Sequence, residues 1–399
     1  MIGKIITMAI LMLVAACAVK EDPFKQPMFG DIPAAYDTLA AQKASSRIAV
    51  LLPLTGKSSE IGADMKKAAM MAEFDKRSQG AAVVFYDTMG TPQGALKAYE
   101  SAMEIKPSVI VGPVFSAEAE ALKDEGVDVP VISFTSDSES VGDDVYTLAL
   151  LIPTQVERIV EHICRSGGRK IAVVGPENRM GEIVMNSLSE SIKTCPDMEM
   201  TTVSLYNPQT VNFDPIIAKI APQPIDSRKK NLTPEEKEML AKPITEKVAF
   251  DSLFVFEDGV KLQQIMSMLA YYDVTPDQIP TYGLSSWGGL KIAELVGGYY
   301  PAMPQTVYAD FANRFRRNFS MAPSPLTAFA YEAVSLGIFL GTSGQIPEQV
   351  LTVPQGYNGI NGRFRLNSDG TNSRLLDMKQ IQYRGRSVVV ENAPSQMPL

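Results

Sequence analysis

Residues 48–75 read IAVLLPLTGKSSEIGADMKKAAMMAEFD, and the stretch Leu51 to Gly62 inside them decides between two folds. The tripeptide Gly56-Lys57-Ser58 follows an apolar run, as it would in a loop that cradles a nucleotide phosphate. Such a loop needs glycine at both ends of a six-residue span, because its backbone N–H groups turn inward and side chains would block them. Counting back from Gly56, the other end is Leu51, so the stretch does not fit a phosphate loop. The alternative is a strand over Ile48 to Leu52, a Pro-Leu-Thr-Gly turn, and a helix that opens near Gly62 and runs through MKKAAMMAEFDK. That is a βα unit whose loop can face a ligand crevice.

The same alternation continues along the chain. Apolar runs at Ala82 to Tyr86, Val109 to Gly112 and Val131 to Phe134 are separated by amphipathic segments at Gln93 to Met103 and Ala117 to Glu125. Strands alternating with helices predict a parallel sheet covered on both faces. The pattern restarts after Thr147 with a helix at Gln155 to Arg165, a strand at Ile171 to Val174, a helix at Gly181 to Lys193 and a strand at Met200 to Leu205. It resumes at Ser252 to Phe256, Val260 to Tyr271 and Thr281 to Gly283, then in long helical regions at Thr306 to Phe319 and Leu326 to Leu340. Between them, residues 221–247 (APQPIDSRKKNLTPEEKEMLAKPITEK) form a charged, proline-rich insertion. Within it Thr233 before Pro234-Glu235-Glu236 supplies an N-cap, a proline at N1 and first-turn acids, so a short surface helix is predicted there. The tail alternates apolar and polar residues around Ser368-Asp369-Gly370 and Arg384-Gly385, which reads as antiparallel strands with tight turns.

Length and the restart imply an α/β protein of two lobes, because more residues remain than one core usually serves. The expected division is a signal peptide at 1–16, a tether at 17–46, a first lobe of 47–148 and 281–343, and a second lobe of 149–280 and 344–392 carrying the insertion. Lys4 precedes the apolar run Ile5 to Ala16, a secretory signal too short to span a bilayer permanently. The small residues before Cys17 resemble the lipobox of bacterial lipoproteins, which implies lipidation of Cys17. Ala18 and Val19 do not resemble the aspartate that retains such proteins at the inner membrane, so the resemblance favours an outer-membrane anchor facing the periplasm.

With 37 basic and 45 acidic residues, a formal charge of −8, the chain does not read as a nucleic-acid binder. Once Cys17 is assigned to lipid, Cys164 and Cys195 remain, each near the end of a predicted helix. In an oxidising compartment they either pair in a disulfide or stay as two buried thiols. The one histidine, His162, lies in the amphipathic run VERIVEHIC and reads as a packing residue rather than a base. No Ser-His-Asp set, no nucleophile elbow and no cluster with metal-ligand spacing can be read in the sequence, so neither enzyme, metal nor cofactor is expected.

The opening stretch, with VIVGPVFSAEAEAL (109–122) and VPVISFTSDS (129–138) after it, resembles type I periplasmic binding proteins of the branched-chain amino-acid class. FDSLFVFEDGVKLQQIMSML (250–269), the insertion before it and GINGRFRLNSDG (359–370) resemble most the bacterial penicillin-binding protein activators of that superfamily. The resemblance implies two α/β lobes joined by crossing strands, with a ligand cleft between them. It places Ser116, Thr135, Ser136 and Asp137 at the cleft, where hydroxyls and N–H groups would take a ligand carboxylate, and Lys57 and Ser58 at its rim. On the second lobe it places Met180 where amino-acid receptors carry an aromatic residue, and Ser285 and Trp287 where an ammonium-binding acid is often found. Glu257 or Asp258 is the nearest acidic substitute. Trp287 is either a packing residue or a ligand platform. Two functions are expected from this resemblance: a lipid-tethered regulator of a peptidoglycan synthase, or a receptor that hands an amino acid or peptide to an ABC permease.

Overall fold

A computed structural model describes residues 46–221, 231–341 and 346–397. The expected signal peptide, the tether up to Ser45, the lipidation site Cys17 and residues 222–230 of the insertion lie outside the described residues.

The chain opens with strand β1 (Arg47–Leu52), helix α1 (Ser59–Asp75), β2 (Ala82–Asp87), α2 (Pro92–Met103), β3 (Val109–Val111), α3 (Ser116–Glu125), β4 (Val131–Ser133) and β5 (Val145–Thr147). These strands form an all-parallel sheet in the order β2-β1-β3-β4-β5. Every residue from Ile48 to Leu52 is fully buried, because alternate side chains feed two cores. Ile48, Val50 and Leu52 pack with Met65, Ala68 and Phe311 on one face; Ala49 and Leu51 pack with Ala98, Ala119 and Leu122 on the other. A continuous apolar strand is what a sheet covered on both faces requires.

The second sheet is built from α4 (Ile152–Arg165), β6 (Lys170–Pro176), α5 (Arg179–Ser191), β7 (Glu199–Tyr206), α6 (Asp214–Ile217), α7 (Pro234–Ala241), β8 (Ser252–Val255), α8 (Gly259–Tyr271), β9 (Thr281–Tyr282) and β10 (Tyr299–Ala302). The chain then returns to the first core with α9 (Tyr308–Phe319), α10 (Pro325–Leu340), α11 (Glu348–Leu351) and a small antiparallel sheet of β11 (Tyr357–Gly359), β12 (Gly362–Leu366) and β13 (Asn372–Arg374). It crosses once more to add β14 (Asp377–Ile381) and β15 (Ser387–Glu391) to the second sheet, whose order is β15-β14-β10-β9-β8-β6-β7. The architecture is α/β with two sheets flanked by helices, joined by segments after β5, β10 and β13.

The lobe boundaries differ from those expected. Residues 281–302 supply β9 and β10 of the second sheet, with Leu253 opposite Thr281 and Phe254 opposite Tyr282, instead of returning to the first. Leu351, Tyr357, Phe364 and Leu366 fill the first core instead of the second. Strand periodicity shows that a strand exists; which strand it pairs with is a long-range matter that periodicity does not carry.

The insertion helix is capped as predicted. Thr233 Oγ1 accepts from the Glu236 N–H at 3.1 Å, and the Glu236 carboxylate accepts from the Thr233 N–H at 2.7 Å. Cys164 and Cys195 are joined by a disulfide, with Cα atoms 6.0 Å apart, so the thiol alternative is set aside. A buried ion pair ties α10 to β13: Arg374 Nη2 lies 2.6 Å from Glu332 Oε2 and neither side chain is exposed.

The Cys164→Ser/Cys195→Ser chain is expected to lose about 3–4 kcal/mol in urea unfolding, since the bond closes a loop with a sequence separation of 31 residues. Glu332→Ala should cost about 3–5 kcal/mol in the same measurement, because it strands a buried guanidinium; a loss below about 1 kcal/mol would show that the pair is not buried in solution.

Candidate functional site

In this topology the loops at the C-terminal ends of the parallel strands border the crevice between the lobes, and those after β4 and β6 meet there. The lobes touch across it. Arg179, first residue of α5, places Nη2 2.9 Å from Asp137 Oδ1 and 2.7 Å from Glu139 Oε2, both in the loop after β4. Its side chain is 54% exposed, so this bridge lies at the mouth of the crevice. The carboxylates hold its pKa above the ordinary arginine value, through their hydrogen bonds first and their charge second.

Gly62 of the opening stretch serves helix packing. A Cβ on Gly62 would stand 2.1 Å from the Pro53 carbonyl oxygen, so only glycine lets α1 approach the turn after β1. The second lobe repeats the device: a Cβ on Gly181 would stand 2.2 Å from the Pro176 oxygen. The turn is held by Asp87, which no motif in the sequence singles out. Its Oδ1 accepts from the N–H groups of Leu54 (2.8 Å), Thr55 (3.1 Å) and Met89 (2.9 Å), and its Oδ2 from Thr55 Oγ1 (2.6 Å). Burial pushes this carboxyl up, but those hydrogen bonds outweigh it and hold the pKa below the ordinary value. Lys57 is left exposed and Ser58 half-buried on the rim.

On the first lobe, Ser116 starts α3 and is half-buried, with Glu118 fully buried beneath it. Glu118 Oε2 accepts from the Phe115 N–H at 3.0 Å, and burial pushes its pKa up. Thr135 is buried and spends its hydroxyl on the turn, accepting from the Asp137 N–H (3.0 Å) and pairing with Ser140 Oγ (3.2 Å). Ser136 is exposed. Asp137 is committed to Arg179 and to the Glu139 N–H, 3.1 Å from Oδ1. Among the described residues, the side chains of Lys57, Ser58, Ser116 and Ser136 have no hydrogen-bond or ion-pair partner.

The second lobe is different. Glu257 Oε2 accepts from the Tyr206 hydroxyl, and Oε1 from the Asp258 N–H at 3.0 Å. Burial, then the hydrogen bond to Glu257, pushes the Tyr206 pKa up, so its proton stays on the bridge at neutral pH. Trp287 is 0% exposed and donates Nε1–H to the Glu257 carbonyl at 3.2 Å, while a Cβ on Gly283 would meet its ring at 2.0 Å. It is a packing residue and offers no face to a ligand. Met180 is half-buried against the core that holds Val173, Val184 and Phe256. Ser285 donates its backbone N–H to Gln155 Oε1 at 2.9 Å.

His162 lies away from the crevice, with Nδ1 3.2 Å from the Tyr282 hydroxyl and Nε2 3.8 Å from Glu391. Burial lowers its pKa. Among the described residues no group of three or more His, Cys, Asp and Glu side chains is placed to hold a metal ion.

Two lobes, crossing segments and a crevice at the strand ends define a known family, and the sequence agrees. The periplasmic binding protein profile matches residues 45–339. The chain belongs to the periplasmic binding protein family. Its relatives in structure are distant in sequence. A protein described as a branched-chain amino acid ABC transporter from Rhodospirillum rubrum is 14% identical with a TM-score of 0.68, over 87% of this chain and 100% of that one. The C-domain of LpoA (YraM) from Haemophilus influenzae, a regulator of PBP1A, is 16% identical with a TM-score of 0.61, over 86% of this chain and 100% of that one. The branched-chain amino acid transporter substrate binding protein LivJ from Streptococcus pneumoniae, in complex with isoleucine, is 16% identical with a TM-score of 0.53, over 88% and 100%. No curated protein sequence matches the chain. No helix among the described residues is long and apolar enough to cross a membrane.

Arg179→Ala removes both ion pairs at the mouth. Exposed pairs are screened by water and contribute little, so the open-to-closed ratio should rise by a small factor. Small-angle scattering would register this as a larger radius of gyration; an unchanged radius would mean that the bridge does not hold the lobes together.

Proposed function

We propose that the chain is a non-catalytic envelope lipoprotein, anchored through Cys17 in the outer membrane, that regulates a peptidoglycan synthase by protein contact. The observation that carries this reading is the commitment of the second lobe. A receptor that closes on an amino acid needs one wall for the carboxylate and an acidic or aromatic wall for the ammonium. Here Glu257 is spent on Tyr206, Trp287 is buried, Met180 replaces the aromatic closure, and Asp137 is spent on Arg179. Among the candidates, Ser116 and Ser136 on the first lobe and Asp258 and Ser285 on the second keep side chains without a partner. The capped helix α7, in a charged insertion on the second lobe, is a surface suited to a protein partner. The likeness to the LpoA C-domain, a regulator of PBP1A, agrees with this assignment.

A second reading is kept because one observation favours it: the hydroxyls of Ser116, first residue of α3, and of Ser136 have no partner in the fold, and a helix N-terminus favours a carboxylate. That reading is a receptor that delivers an amino acid or small peptide to an ABC permease.

Two measurements separate the readings. Thermal unfolding of chain that has been unfolded and refolded to strip ligand is scanned against free amino acids and peptidoglycan peptides. Cross-linking by a penicillin-binding protein is then measured with and without the chain. The regulator reading expects no stabilisation by any amino acid and a faster synthase. A receptor gains about 2.7 kcal/mol from ligand at 100 times its dissociation constant. Such a gain, with a synthase indifferent to the chain, would overturn the proposal.

A further inference from the structure

The turn that joins β14 to β15 carries charge that the fold does not use. Residues 379–390, KQIQYRGRSVVV, hold three cations and no acid in a chain whose formal charge is −8. Among the described residues Lys379, Arg384 and Arg386 have no ion-pair partner, and the acid that follows, Glu391, is held by Arg158 (3.1 Å) and Arg165 (2.5 Å). A fourth cation joins them from another segment. A Cβ on Gly385 would stand 2.6 Å from the Leu290 carbonyl oxygen, so the turn sits directly on Leu290 and brings exposed Lys291 beside it. Arg384 and Gly385 both take positive φ, 63° and 72°, to close the hairpin. Outside glycine that conformation favours asparagine or aspartate, so the turn itself gives no reason for an arginine.

The strand beside the turn is apolar and open. Val388, Val389 and Val390 are 49, 44 and 45% exposed, Tyr383 is 72% exposed, and Val296, which precedes the glycine that pairs with Ile381, is 38% exposed. This edge is not a template for another strand. Met378 lies opposite Glu391 and Lys379 opposite Val389, so Val390 is an extra residue, a bulge that interrupts the ladder. Bulges of this kind keep sheet edges from pairing with other chains. What remains is a surface of valines and a tyrosine fringed by four cations.

We propose that this hairpin docks on a bilayer that contains anionic lipid, its apolar side chains at the boundary between headgroups and acyl chains and its cations on the lipid phosphates. The cations select a negatively charged occupant. The valines select among such occupants, because a polyanion or an anionic glycan would leave them in water, whereas a bilayer takes up apolar side chains while long cationic stems reach back to the headgroups. Tyrosine is enriched at that same boundary. The inference goes beyond the regulator reading and does not rest on lipid at Cys17.

The test uses the chain from Ala18 onward, without leader or lipid, which keeps every described residue. Cosedimentation is measured with vesicles of phosphatidylcholine alone and of equal parts phosphatidylcholine and phosphatidylglycerol. The wild type should bind the mixed vesicles only, and salt should weaken the binding by screening. Arg384→Gln/Arg386→Gln should lower the partition about 25-fold, at about fivefold for each cation near an anionic surface. Arg316→Gln/Arg317→Gln removes the same charge from exposed positions on α9 and should leave the partition in place. An environment-sensitive dye at Val390→Cys should shift to the blue on the mixed vesicles, and the same dye at Val203→Cys, on the opposite edge strand β7, should not. The dye measurement decides alone if the Arg384→Gln/Arg386→Gln chain fails to fold. No binding to the mixed vesicles overturns the proposal and leaves the hairpin to an acidic protein. Equal binding to both compositions overturns it, as does an equal loss in the two arginine pairs, since net charge would then explain the binding. None of these outcomes alters the synthase measurement, so the regulator reading stands or falls separately.

Discussion

The last crossing between the lobes starts from a guanidinium buried where water cannot reach it. Arg374 ends β13 with its side chain at 0% exposure, paired with Glu332 on α10 and stacked 5.2 Å from the Phe329 ring centre and 5.0 Å from that of Phe364. Glu332 Oε1 also accepts the Asn361 N–H at 3.1 Å, and a Cβ on Gly359 would stand 1.8 Å from the same oxygen. Helix, loop and strand are therefore locked around one carboxylate. Taking both charges out of water costs several kcal/mol for each ion, and only near-ideal geometry recovers it. The pair thus contributes less to net stability than to uniqueness: the chain leaves the first core in one direction only.

Beyond Arg374 the chain makes its last crossing between the lobes, and a second buried guanidinium pins the far end of that crossing. Arg158 on α4 donates Nε–H to the Leu376 carbonyl at 2.8 Å, and its side chain is 4% exposed. The mouth of the crevice is held differently, by Arg179 at 54% exposure. Removing one partner of a buried pair costs about 3–5 kcal/mol, whereas an exposed pair is screened by water and worth little. The back of the molecule is consequently the fixed side and the mouth the side that yields. Hinge closure about crossing segments is one of the recurring modes of two-lobed proteins.

Much of this was legible in the sequence. The unbroken apolar run from Ile48 to Leu52 announced a strand buried on both faces, and Thr233-Pro234 announced a capped helix, because both are local rules of burial and hydrogen bonding. Two features were not legible. Residues 281–302 join the second sheet because Thr281 and Tyr282 lie beside Leu253 and Phe254, a pairing across the length of α8. Asp87 holds the turn at Leu54 and Thr55 across a sequence separation of more than thirty residues, since the parallel register sets Leu52 beside it. Neither acid nor strand carries a mark of its partner; the partner is chosen by topology.

The same distinction separates the fold from its ligand chemistry. Parallel strands deliver loops to a shared edge whatever side chains those loops carry, so a crevice is a property of the topology. Whether the crevice takes a ligand depends on which polar groups remain uncommitted after folding. Glu257 stands just past the end of β8, a position the apolar run before it makes readable, yet nothing in the run shows that the Tyr206 hydroxyl reaches it from the end of β7, on the far side of β6. Burial keeps the proton on that tyrosine, which donates it to the carboxylate, so the acid is used internally. Trp287 obeys the same logic, its indole N–H consumed by the Glu257 carbonyl. With Glu257 and Trp287 paired internally, the candidate polar side chains this wall leaves unpaired are those of Asp258 and Ser285.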